Sequence, residues 1–142
     1  MNNPKGIETI SPQVVGLSEM MRVMEQKRGV TDMKREDVIA ITDKNFGKEV
    51  IQSDLPVLVN FWSPWCSPCR TVRPTIDGMA REYEGRIKVG RVNVAENLQV
   101  SSTLGIRSLP TLILFKGGKP VKKIAGVLPE IRLKAMIEES IQ

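Results

Sequence analysis

Phe61-Trp62-Ser63-Pro64-Trp65-Cys66-Ser67-Pro68-Cys69-Arg70 is the stretch on which the reading of this chain turns. It stands where a nearly continuous apolar run, Val57 to Trp62, gives way to a long helical pattern from about Cys66 to Tyr83. An apolar run of that kind reads as a strand buried on both faces. In an α/β sheet the junction between such a strand and its helix is where functional groups are displayed. A thiol there faces unpaired backbone N–H groups and the positive end of the helix dipole, and both favour thiolate over thiol. Cys66 is therefore placed to be a nucleophile. Cys69 lies about one turn further on, near enough for its sulfur to reach that of Cys66 and resolve a mixed disulfide within the chain.

On either side of this junction the pattern from Asp37 onward alternates between strand and helix. Val38 to Ile41 reads as a short strand, Asp43 to Gln52 as a helix, and Ile87 to Val94 as a strand. Glu96 to Leu104 reads as a short helix and Thr111 to Phe115 as a strand. Gly117-Gly118 marks a tight turn, Val121 to Ala125 its antiparallel mate, and Pro129 the opening of a terminal helix to about Ile141. Pro74 removes one backbone bond from the long helix and is expected to kink it. Helical crossovers first and a hairpin last predict an α/β fold, a mixed central sheet flanked by helices.

The first 35 residues differ in character. Ser11-Pro12 is a strong helix start and Gly29 after Lys27-Arg28 a strong stop, which predicts a helix over about 12–28. Val14, Leu17, Met21 and Met24 fall on one stripe of it, with Glu19, Arg22 and Glu25 set apart, so the helix is amphipathic. Its stripe either packs on the main domain or docks a partner or a second copy, a use to which methionine is suited. Residues 1–36 are thus read as a helical extension and linker, and 37–142 as the main domain.

Composition narrows the chemistry. The chain has 142 residues, 41% of them hydrophobic, which suits one compact domain with an appendage. Its two cysteines are too close for a long-loop staple and are read as a site. With no histidine, Cys-His catalysis and histidine metal clusters are excluded, and two thiols alone fall short of a zinc site, so no metal is expected. The net charge of +5 is interspersed along the chain and aromatic residues make up only 4%, which argues against nucleic acid and for acidic protein partners. No stretch approaches the roughly 20 apolar residues that span a bilayer. Met1 to Gly6 are polar with no apolar segment behind them, so neither a membrane anchor nor a secretory leader is expected and the location is read as cytoplasmic.

Trp65-Cys66-Ser67-Pro68-Cys69-Arg70 is similar to the thioredoxin active-site motif Trp-Cys-Gly-Pro-Cys-Lys, differing at Ser67 and Arg70. Further matches to that family follow in order: Phe61 and Trp62, Pro74, Leu109-Pro110-Thr111, Phe115, Gly118 and Gly126. The resemblance covers about residues 37–142. It implies a thioredoxin fold and a protein dithiol/disulfide oxidoreductase in which Cys66 attacks a substrate disulfide and Cys69 releases the reduced substrate. It also implies a cis Leu109–Pro110 bond beside the cysteines, with Leu109 backbone groups free to pair with an extended substrate. Trp65, Ser67 and Pro68 would complete the substrate surface. No bound cofactor is implied, electrons coming from a flavoprotein thioredoxin reductase or an equivalent donor, in the service of electron transport and redox homeostasis.

Two departures alter the proton-transfer position. Where the family usually carries a buried aspartate the chain has Asn60, and where it carries the partnering lysine the chain has Arg91, so the usual ion pair is absent. An amide cannot act as a carboxylate base, which leaves proton transfer from Cys69 dependent on water. Two rival readings stand beside the reductase: a dithiol oxidant or isomerase of an oxidising compartment, and a non-catalytic thioredoxin-fold module that docks through its N-terminal helix.

Overall fold

In the computed structural model the described residues are 37–142, so the expected helix at 12–28 and its linker lie outside them. Strand β1 (Val38–Ala40), helical segment α1 (Gly47–Ile51), β2 (Val57–Trp62), α2 (Ser67–Glu82) and β3 (Lys88–Asn93) come first. They are followed by α3 (Leu98–Thr103), β4 (Thr111–Lys116), β5 (Lys119–Ala125) and α4 (Glu130–Ile141). The five strands form one sheet in the order β1-β3-β2-β4-β5. β2 runs parallel to β3, which is parallel to β1, and antiparallel to β4, which is antiparallel to β5. This is the thioredoxin fold, with the mixed sheet that the crossovers and the terminal hairpin predict.

The apolar run of β2 is central because both of its faces are covered. Leu58 shares one face with Val89, Leu112 and Leu114, closed by Val72, Ile76 and Met79 of α2 and by Leu133 and Ile137 of α4. The steps of four and three between those α2 residues place them on one stripe. Val57, Val59 and Phe61 point the other way, with Val92, Ile113 and Phe115, and are closed by Val50 of α1 and Val100 of α3. Strand alternation therefore puts Asn60, between Val59 and Phe61, on the α2 and α4 face. Among the described residues no helix is long and apolar enough to cross a membrane.

The helix expected over 43–52 is shorter than its pattern suggests. Asn45 Oδ1 accepts from the Thr42 N–H at 2.7 Å, the Asn45 N–H donates to Thr42 Oγ1 at 3.2 Å, and Asn45 Nδ2 donates to the Ala40 carbonyl at 3.1 Å. These local bonds hold the chain in a turn, and the helix after it is a π-helical segment. α3 likewise begins at Leu98 rather than Glu96, and β5 begins two residues earlier than read. α2 runs on through Pro74, whose ring nitrogen has no proton for the Arg70 carbonyl. Between β4 and β5, Gly117 and Gly118 both adopt positive φ, 62° and 79°, as a two-residue hairpin turn that follows the twist of its strands requires. β5 is the outer edge of the sheet, exposed along nearly its whole length and carrying Lys119, Lys122 and Lys123.

Candidate functional site

β2 ends at Trp62 and the chain turns through Ser63, Pro64 and Trp65 to deliver Cys66 as the N-cap of α2. The Cys66 N–H donates to the Ser63 carbonyl at 3.2 Å, which fixes the turn. Pro68 sits in the first turn of the helix, where a missing N–H removes nothing. The Cys69 N–H donates to Cys66 Sγ at 3.1 Å, so the cap sulfur already receives one of the helix's free donors. Cys66 and Cys69 are joined in a disulfide with their Cα atoms 5.3 Å apart.

The two sulfurs differ in access. Cys66 is half-buried and faces a rim of exposed Trp65, Ser67 and Pro68, whereas Cys69 is only 5% exposed. Trp65 is the most exposed large apolar side chain of the described residues, at 77%. The antiparallel register pairs Phe61 with Thr111, so Leu109 and Pro110, just before Thr111, come to the same end of the sheet as the 63–66 turn. Their peptide bond is cis. Leu109 is half-buried against the α1 and α3 side of the core, and Pro110 passes its carbonyl to the Gly126 N–H at 2.8 Å.

Behind Cys69, on the α2 face of the sheet, lies a cavity of about 90 Å³ lined by Asn60, Trp62, Cys69, Arg70, Arg73 and Arg91. Asn60 is 1% exposed, and its Oδ1 is the buried side-chain atom that lacks a hydrogen-bond partner among the described residues. A buried acceptor without a donor costs about 1–3 kcal/mol. Asn60 and Arg91 are register neighbours on β2 and β3 and share this face. Arg91 Nη2 donates to Asp77 Oδ1 at 2.7 Å, and Arg70 Nη2 reaches the Pro64 carbonyl at 3.4 Å. The cavity is thus bordered by three guanidinium groups, of which one is matched by a carboxylate among the described residues.

Asp77 is the participant that the sequence reading missed. Its signal was the helical spacing Cys69, Arg73, Asp77, each four residues from the last and so on one face of α2. Among the described residues no group of three or more cysteine, aspartate and glutamate side chains converges as a metal cage would require.

A family model described as Thioredoxin matches residues 37–139. Thioredoxin 1 of Nostoc sp. is 52% identical over 101 residues, spanning 71% of this chain and 94% of that protein. The thioredoxin of Synechocystis sp. is 46% identical over 99 residues, 70% of this chain and 92% of that protein. The chloroplastic M-type thioredoxin of Zea mays is 41% identical over 106 residues, 75% of this chain and 64% of that protein.

Proposed function

The chain belongs to the thioredoxin family and is a protein dithiol/disulfide oxidoreductase, and from that footing we propose that Cys66 is the attacking thiol and Cys69 the resolving one. The observation that carries this assignment is the difference in access: Cys66 caps α2 at the surface beside exposed Trp65, while Cys69 is buried one turn behind it. A helix N-terminus favours a thiolate at the cap. The reduced pair then gives two electrons to a substrate disulfide. Cys66 attacks one substrate sulfur, the first substrate thiol leaves, and Cys69 attacks Cys66 Sγ to close the observed bond and release the second.

The substrate surface of this proposal is made by Trp65, Ser67 and Pro68 on one side of Cys66 and by half-buried Leu109 on the other, with the buried Pro110 setting the Leu109 backbone from behind. Trp65 and Pro68 supply apolar contact, and the Leu109 backbone is offered to an extended segment in the manner of an added strand. Exposed Arg70, Arg73 and Arg107 stand in stretches without a carboxylate, 55–76 and 97–129, which favours disulfides with acidic flanks. Electrons would come from a flavoprotein thioredoxin reductase or an equivalent donor, serving electron transport and redox homeostasis. The working compartment would be the cytoplasm, where thiols are kept reduced and the pair can be recharged. Residues 1–36 would act as an extension to the domain at 37–142, open to partner docking or self-association through 12–28.

Replacing each cysteine in turn tests the assignment. Cys66→Ser is expected to abolish reduction of insulin disulfides, and Cys69→Ser to accumulate a mixed disulfide on Cys66 that non-reducing gels and mass spectrometry detect. Trapping on Cys69 instead would reverse the roles. Full biological activity in the double serine variant would favour a docking module, and a couple poised well above the cytosolic potential would favour an oxidant.

A further inference from the structure

The cavity behind Cys69 brings together three things: a buried acceptor with no donor among the described residues, the inner sulfur of the redox pair, and an excess of positive charge. Asn60 Oδ1 can only accept, and the side chains that could donate to it are engaged elsewhere or line the wall: Arg91 is bound to Asp77 and Arg70 reaches Pro64. A volume of about 90 Å³ admits water, since one molecule needs roughly 10–15 Å³ of such space and two or more polar partners. Polar partners line it in Asn60 and the guanidinium groups.

We propose that this cavity is a hydration site in which Asn60 positions the water that takes the proton from Cys69, and in which Arg73 and Arg91 act as positioning residues that stabilise the Cys69 thiolate by charge. The inference rests on the assignment of Cys69 as the resolving thiol. A water that donates a hydrogen bond to Asn60 Oδ1 turns its oxygen toward Cys69 Sγ, accepts the thiol proton and passes it on through water to solvent. The electron pair left on Cys69 attacks Cys66 Sγ, the Cys66–substrate bond breaks, and the departing substrate thiolate takes a proton from solvent. No carboxylate base is needed in this step, because the neighbouring positive charges lower the cost of ionising the thiol and water carries the proton away. Facing Cys69 are Arg70 and Arg73 from α2, Arg91 from β3 with its partner Asp77, and the neutral Asn60 and Trp62 from β2. The balance is positive, and hence thiolate-favouring.

The reduced full-length protein, mixed in stopped flow with dithiobis-nitrobenzoate, separates the two steps. One coloured thiol is released when Cys66 attacks and a second when Cys69 resolves. In Asn60→Leu, which keeps the branching at Cγ but removes the acceptor, the second release at neutral pH should slow roughly tenfold while the first stays within about twofold. In Arg73→Gln the acid limb of the second phase should move to higher pH and its neutral-pH rate fall several-fold, and Asn60→Asp should add a second ionisation to that profile. Arg73 is an exposed helical residue, so its variant keeps the test alive if Asn60→Leu fails to fold. Unchanged second phases in both variants, with native circular dichroism, would overturn the proposal. A first release at the parent rate in Cys66→Ser, and its loss in Cys69→Ser, would instead overturn the assignment of Cys66, which keeps the two failures apart.

Discussion

Gly90 shows how much a missing side chain can decide. It sits in β3 between Ile39 of β1 and Val59 of β2. A Cβ there would lie 2.8 Å from Ile41 Cγ1 and 3.1 Å from the Ile39 carbonyl oxygen. Ile41, 1% exposed, fills the space that the glycine leaves. Gly90→Ala should therefore destabilise the fold by about 1–3 kcal/mol through overpacking. Gly78 is the contrast, since it lies inside α2 with nothing within 4 Å of the position a Cβ would take. Gly78→Ala should stabilise by about 0.5–1 kcal/mol, because glycine loses more backbone freedom than alanine in a helix. Urea denaturation of the two variants beside the parent measures both signs. At this level the sequence was uneven in what it disclosed. Cys66 and Cys69 were readable because their relation is local, one helical turn at a strand end. The pairing of Arg91 with Asp77 was not, because it joins a strand to a helix and depends on the register of β3 under α2.

Among the elements, α3 is held at its N-terminus by a residue far away in the chain. Its N-cap Asn97 makes no side-chain cap bond. Asn97 Oδ1 accepts instead from the Asp43 N–H at 3.0 Å, and its Nδ2 donates to the Asn93 carbonyl at 3.0 Å. The free donors of the first turn are met by Asp43, whose carboxylate oxygens accept from the Val100 N–H at 2.9 Å and the Gln99 N–H at 3.3 Å. This explains why the pattern at 43–52 promised a longer helix: Asp43 resembles a cap for residues 44–52, yet its carboxylate caps α3. Asp43→Ala should lower stability by about 1 kcal/mol, and Asp43→Asn, which keeps an acceptor, by less. Thermal unfolding followed by circular dichroism orders the three proteins. Strands fared better than helix ends in the sequence reading. β2, β3 and β4 were found within one residue at each end because their limits track burial, whereas helix limits depend on whichever side chain captures the first donors.

The domain at 37–142 is completed by α4, and the attachment of that helix is electrostatic as well as apolar. Arg86 donates to Glu138 at 3.0 Å and Lys134 meets Glu82 of α2 at 2.8 Å, while Lys134 also pairs with Glu130 within α4 at 3.1 Å. The Arg86 guanidinium, followed by the Tyr83 hydroxyl, holds the Glu138 carboxyl below its ordinary range. Glu82, followed by Glu130, holds Lys134 above its own. A carboxyl whose folded value is depressed adds stability above its unfolded value and loses it as pH falls through the folded one. An ammonium whose folded value is raised adds stability below its unfolded value and loses it as pH rises through the folded one. The attachment of α4 should accordingly weaken at both ends of the pH scale. All three pairs are largely open to solvent, so the effects are small. Glu138→Gln should flatten the acid flank of a urea-midpoint profile and Lys134→Met the alkaline flank, each leaving the other in place. The fold class was readable at this level from the order of elements alone, since helical crossovers and one hairpin admit few arrangements.

β5, an edge of the sheet exposed along nearly its whole length among the described residues, bears on how molecules of this protein treat one another. A strand edge offers a row of unpaired backbone donors and acceptors that a neighbour could extend without limit. Lys119, Lys122 and Lys123 line that edge, so two copies approaching in register bring like charges face to face before any backbone bond can form. The lysines thereby guard this edge against extension of the sheet by a second copy, strand against strand.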